Sequence, residues 1–179
     1  MSLVDIIILA IALGIDCLVV SFSQGLIFKH NRLRNSFWLA FSMGFFQGAM
    51  PCISYFFTGF AQSYLEPFKN WIVLSIFLAL GIKFILEGIF EKEEEICCLD
   101  LKCLILMGIA TSIDALASGI SLKLTGTNIL ISAVIIGIFS FALSAIGFWT
   151  GNFLKNLPSK ILNTLGGIIL IFLALKAVL

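Results

Sequence analysis

The stretches ALGIDCLVVSFS (Ala12–Ser23) and ATSIDALASGIS (Ala110–Ser121) decide how this chain folds. Each is an apolar run with one aspartate near its centre. Placing Asp16 on Asp114 also matches Ala12 with Ala110, Ile15 with Ile113, Leu18 with Leu116 and Ser23 with Ser121. Further matches follow in the same order: FLAL at Phe77–Leu80 and at Phe172–Leu175, FTGF from Phe57 and WTGN from Trp149. Each match is weak in so apolar a chain, but their shared order, at offsets of 92 to 98 residues, marks a duplicated unit.

Outward from these runs the chain of 179 residues is 60% hydrophobic and 12% charged, half of the roughly 25% charge of a soluble domain. Apolar blocks lie near 3–27, 36–60, 70–90, 103–124, 128–153 and 161–179. Each approaches the roughly 20 residues that cross a hydrocarbon core of about 30 Å at about 1.5 Å per helical residue. The expectation is an all-α integral membrane protein, with six transmembrane helices arranged as two inverted three-helix repeats. It forms a single membrane domain over 1–179, with repeat 1 at about 1–92, repeat 2 at about 101–179 and a cytoplasmic connecting loop at 91–102. Three spans per unit is odd, so the second copy enters from the opposite face, as in many transporters. Met1–Phe28 carries no Lys or Arg, so the first block reads as a retained helix rather than a signal peptide.

Basic residues orient the spans, because Lys and Arg near span ends stay cytoplasmic. Lys29, Arg32, Arg34, Lys92, Lys102, Lys155 and Lys160 fall on the odd-numbered connections, against Lys69, Lys123 and Lys176 on the other side. Both termini are therefore expected outside. A net charge of +1 points to no nucleic-acid partner. Adjacent Cys97 and Cys98 fall in an inner loop, where free thiols are expected; neither His nor CxxC spacing supports a soft-metal site there.

Asp16 and Asp114 sit deep in their spans. A carboxylate at such depth costs about 2.5–3.5 kcal/mol on insertion scales and marks a functional site by default. The opposing reading is a protonated aspartate bridging helices. Around Asp114, the helical period places Thr111, Ser118 and Ser121 on one face; around Asp16 it places Ser23 and Gln24. Gln47 precedes Pro51 by four residues in the second span, and Ser140 and Ser144 hold similar places in the fifth. Hydroxyls also glue membrane helices together. Two carboxylates among neutral oxygens suit a hard divalent cation. Cys17 is expected to point about 100° away from Asp16. Gly44-x-x-x-Gly48 and Gly147-x-x-x-Gly151 read as packing motifs, and Pro51 as a kink that frees a carbonyl. Lys83 and Glu87 read as an interfacial pair, and the EKEEE run from Glu91 as a solvated loop that could concentrate cations.

With GIATSIDALASGISL (Gly108–Leu122), IALGIDCLVVSFSQGL (Ile11–Leu26), GFFQGAMP (Gly44–Pro51), LGIKFILEG (Leu80–Gly88) and LGGIILI (Leu165–Ile171), the chain resembles the MntP-type manganese efflux pump family of bacterial inner membranes. The resemblance covers nearly the whole chain. It implies a six-helix exporter of manganese(II), the transported substrate, with Asp16 and Asp114 as the metal-handling pair and Gln47 as a secondary ligand. Thr111, Ser118, Ser23 and backbone carbonyls would complete the ion's shell. Cys17 and Val19 stand where the family's first-span pattern has small residues. No GxxxxGK[ST] loop occurs, so export would be secondary-active, with proton antiport a physical option. No enzyme activity and no cofactor are expected; the partners are a divalent cation and membrane lipid.

Other classes stay open. A membrane thiol–disulfide carrier would use Cys17, but its repeat partner is Ala115. An exporter of amino acids would need a site for a zwitterion. A non-transporting membrane scaffold, such as the similar sporulation-associated proteins, would tolerate loss of both aspartates. Mg²⁺ and Fe²⁺ accept the same oxygen ligands as Mn²⁺.

Overall fold

A computed structural model of the chain describes residues 2–28, 31–89, 100–151 and 159–176, and all regular structure in these residues is helical. The helices are α1 (Leu3–Ile27), α2 (Arg32–Leu65), α3 (Lys69–Ile89), α4 (Leu101–Thr111), α5 (Ile113–Leu124), α6 (Ile129–Thr150) and α7 (Ser159–Lys176), with a 3₁₀ turn at Glu66–Phe68. Helix α4 begins at Leu101, within the segment 91–102 expected to connect the repeats, of which residues 91–99 lie outside the described residues. Lys29, His30, the EKEEE run, Cys97, Cys98 and Lys155 fall outside the described residues, as does the Glu87 side chain.

Local chemistry sets the helix ends. Ser2 and Asp5 form a capping box on α1: the Asp5 N–H donates to Ser2 Oγ at 3.3 Å and the Ser2 N–H to Asp5 Oδ2 at 3.0 Å. The α5–α6 turn closes on Gly126, whose φ of +67° lies in the left-handed region. There the Thr127 N–H reaches the Leu122 carbonyl and the Gly126 N–H the Lys123 carbonyl, which satisfies the end of α5. Asn128 then caps α6 through the N–H groups of Leu130 and Ile131.

Packing is inside-out relative to a soluble protein. Phe37, Phe41, Phe45, Phe56 and Phe60 stand exposed along α2, whereas Ser21, Gln24, Gln47, Ser118, Ser140 and Ser144 are buried. A contiguous apolar exterior of this kind demands a lipid solvent. Two helices, α1 and α6, are each long and apolar enough to cross a membrane, and α4 with α5 qualifies as one bent pair. The chain is thus an integral membrane protein of packed helices.

Partners in the bundle alternate between the two halves. Helix α1 lies along α6 and also touches α7; α5 lies along α2 and also touches α3; α2 meets α6, and α3 meets α7. Glycines set the closest seams. Gly44 faces the Gly137 carbonyl, and Gly81 faces the Gly167 carbonyl. Gly25 abuts the Phe148 carbonyl, Gly147 the Leu18 carbonyl and Gly151 the Phe22 carbonyl, all between α1 and α6. Both small-residue motifs therefore lie in helix–helix seams, the packing role expected of them.

The expected fourth span, 103–124, is not one straight helix. It breaks at Ser112 (φ −100°, ψ 6°), and α4 and α5 meet at a bend of 43°. The cause is local. Thr111 Oγ1 donates back to the Met107 and Gly108 carbonyls at 3.0 and 3.3 Å, Ser112 Oγ donates to the Gly108 carbonyl, and the Ser112 N–H takes a tight bond to the Ile109 carbonyl at 3.1 Å. Such back-bonding bends helices. The matching positions of the first repeat are Leu13 and Gly14, which carry no hydroxyl, and α1 runs unbroken.

Candidate functional site

The break puts a half-helix start beside the second aspartate. Asp114 is the second residue of α5 and 1% exposed, so its carboxylate lies at the positive end of the α5 dipole. Its Oδ1 accepts the Ala115 N–H at 2.8 Å. In an unbroken helix that N–H would face the Thr111 carbonyl. Here the Thr111 carbonyl accepts Gln47 Nε2 from α2 at 2.8 Å instead.

Gln47 is wholly buried, and the same Nε2 approaches Cys17 Sγ of α1 at 3.5 Å. Its Oε1 finds no hydrogen-bond partner among the described residues. One turn further along α2, Pro51 offers no N–H to the Gln47 carbonyl. Two backbone carbonyls, those of Gln47 and Thr111, are thus released from their helical bonds on facing helices. The Thr111 carbonyl at the break is of the kind that discontinuous membrane helices commonly offer to cations.

Asp16 is half-buried, whereas its neighbour Cys17 is completely buried. Cys17 faces Gln47, and its sulfur lies near both aspartates and Ser140 of α6. The sequence left Cys17 out because it lies about 100° around the helix from Asp16. The only signal was its place beside the aspartate. Thr111 does not extend the α5 face as periodicity suggested, since the break separates it from Asp114. Its hydroxyl is turned to Met107 and Gly108 and to Met43 Sδ at 3.1 Å, and it contributes its carbonyl instead. Ser118 is buried and donates to the Ala115 carbonyl at 2.8 Å. Ser23 is half-buried and seven residues from Asp16, about 10 Å along the helix. Among the described residues no three His, Cys, Asp or Glu side chains stand at metal-chelating distance. Among the described cysteines, Cys17 and Cys52 are free thiols and Cys103 is disulfide-bonded.

Two buried polar tracks leave this centre in opposite directions. Along α1 and α6 run Cys17, Ser21 and Gln24 with Ser140 and Ser144, and the Ser21 and Ser144 hydroxyls bond at 2.6 Å. Along α5 and α2 run Asp114, Ser118 and Ser121 with Gln47, Ser54 and Thr58. Gln24 Oε1 and Ser121 Oγ are buried and find no partner among the described residues. Gln47→Leu would leave the Thr111 carbonyl without its donor. That is expected to cost about 1–3 kcal/mol, seen as a lower melting temperature of the detergent-solubilised protein. An unchanged melting temperature would show that the Gln47 bond is not structural.

A helical membrane protein with a buried aspartate at a helix break has the architecture by which membrane proteins handle ions. A family model described as "Putative manganese efflux pump" matches residues 30–178, and the chain belongs to that family. Similar proteins named "Putative manganese efflux pump MntP" occur in Methanocorpusculum labreanum, at 35% identity over 97% of this chain and 94% of that one. The like-named protein of Ruminiclostridium cellulolyticum is 36% identical over 98% and 95%, and that of Parabacteroides distasonis 38% identical over 98% and 95%. No solved structure matches the chain.

Proposed function

We propose that this protein exports a divalent cation, manganese(II), from the cytoplasm across the plasma membrane as a secondary transporter. The observation that carries the reading is the meeting of Asp114, Gln47 and the Thr111 carbonyl at the break of a membrane helix. Asp16 and Asp114 supply the charge, Gln47 an amide oxygen, and Thr111 and Gln47 their carbonyls; Ser118 and Ser23 serve the ion as it moves. The names of the relatives supply the metal.

Six spans in two inverted repeats, about 1–92 and 101–179, with both termini outside, complete the proposal. Its support is the exchange of packing partners: α1 lies on α6 as α4 and α5 lie on α2. At residue level, Gly151 meets Gly25 and Gly59 meets Lys123, and the offsets of 92 (151 − 59) and 98 (123 − 25) equal those of the sequence matches. In this topology the α1–α6 track leads from the centre to the cytoplasm and the α2–α5 track to the exterior. Opening one seam while the other stays shut gives alternating access.

Carboxylates that release the ion can take up protons, so proton antiport follows as the coupling. In inverted membrane vesicles, manganese(II) should accumulate when the lumen is acidic, and accumulation should collapse when the gradient is dissipated. Accumulation indifferent to the gradient would remove the antiport, and none above protein-free membranes would remove the transporter.

A further inference from the structure

Cys17 brings a thiol to a centre whose carboxylate, amide and carbonyl donors are oxygen. Its thiol is wholly buried, 3.5 Å from Gln47 Nε2 and within electrostatic reach of both Asp16 and Asp114. A buried cysteine alone marks nothing. Here the amide beside it is also fully buried and carries an oxygen with no partner among the described residues. That oxygen belongs to the side chain whose Nε2 lies 3.5 Å from the sulfur, so an unpartnered oxygen donor sits next to the thiol.

We propose that Cys17 is a metal ligand of this centre, and that it extends the accepted cations to thiophilic divalent ions such as cadmium(II) and zinc(II). The proposal rests on the transport reading above for its physiological meaning, but not for its chemistry. Oxygen donors alone suit manganese and magnesium, whereas a thiolate shifts preference towards softer ions. As the metal–sulfur bond forms, the thiol proton leaves to water that enters with the ion. Among the described residues no three His, Cys, Asp or Glu side chains form a chelating group, so Cys17 acts here with the Gln47 amide oxygen.

The test uses purified full-length protein and cadmium(II) alone as the probe. A cadmium–thiolate bond has an ultraviolet charge-transfer band, followed in wild type, Cys17→Ser and the control Cys52→Ser. Cys52 lies away from the centre, its thiol bonded to the Gly48 carbonyl. The band should fall in Cys17→Ser and persist in Cys52→Ser. In proteoliposomes the ratio of cadmium to manganese flux should drop at least about tenfold in Cys17→Ser. Equal bands in wild type and Cys17→Ser, or an unchanged flux ratio, would overturn the proposal. A band lost in Cys17→Ser with no flux of either cation in wild type would leave the ligand assignment standing and sink the transport reading. Should Cys17→Ser fail to fold, Cys17→Ala carries the same comparison.

Discussion

Asp114→Asn is expected to reduce manganese(II) flux by about 100-fold or more while leaving the protein folded. At an effective dielectric near 20, a unit charge 4 Å away is worth about 4 kcal/mol to each unit of cation charge, roughly a thousandfold in affinity before desolvation is subtracted. Asparagine has the same shape and keeps an oxygen to accept the Ala115 N–H now held by Oδ1, so the start of α5 stays capped. Asp16→Asn should act in the same direction. Flux into proteoliposomes, with melting temperature as the folding control, decides the matter. Wild-type flux in both variants would show the aspartates to be structural bridges and end the site assignment.

The second large effect concerns the seams. Gly25→Ala and Gly119→Ala place a Cβ onto backbone atoms of the facing helix, the Phe148 carbonyl in one case and the Pro51 carbonyl in the other. Backbone cannot step aside as a side chain can, so each is expected to destabilise the protein by about 1–3 kcal/mol. Gly59→Ala is the contrast. Its new Cβ would meet only Lys123 Cε and Nζ, at 3.7 and 3.8 Å, and exchanging a mid-helix glycine for alanine gains up to about 1 kcal/mol. Thermal unfolding in detergent should therefore rank Gly59→Ala at or above wild type and the other two well below it. Equal melting temperatures for all three would mean that the seams are looser than drawn.

Arg32 illustrates what a charge count conveys and what it omits. Counting placed it among the cytoplasmic basic residues. The structure finds its guanidinium donating to the Phe148 carbonyl at 3.3 Å and lying 5.1 Å from the Trp149 ring centre, where it closes the end of α6. Lys123, in the last turn of α5, lies 4.6 Å from the Tyr55 ring centre of α2. Both residues thereby anchor helix ends at the boundary of the apolar exterior, a role that sequence position alone does not distinguish from loop charge.

Helix extents were legible because they depend on composition summed over some twenty residues. The blocks expected at 3–27 and 128–153 became α1 and α6, Leu3–Ile27 and Ile129–Thr150. The aspartates stood out for the same reason, as rare charges in long apolar runs. Which way each side chain faces was not legible. In water, a polar face and an apolar face separate by solvation; in lipid most faces of a helix are apolar, and periodicity carries little contrast. The contact of Cys17 with Gln47 was therefore not legible. The break at Ser112 had a local cause in two consecutive hydroxyl residues, but those residues continue many membrane helices without a break. Only the packing of α2 against α4 and α5, with Gln47 taking the freed Thr111 carbonyl, settled that here the helix opens.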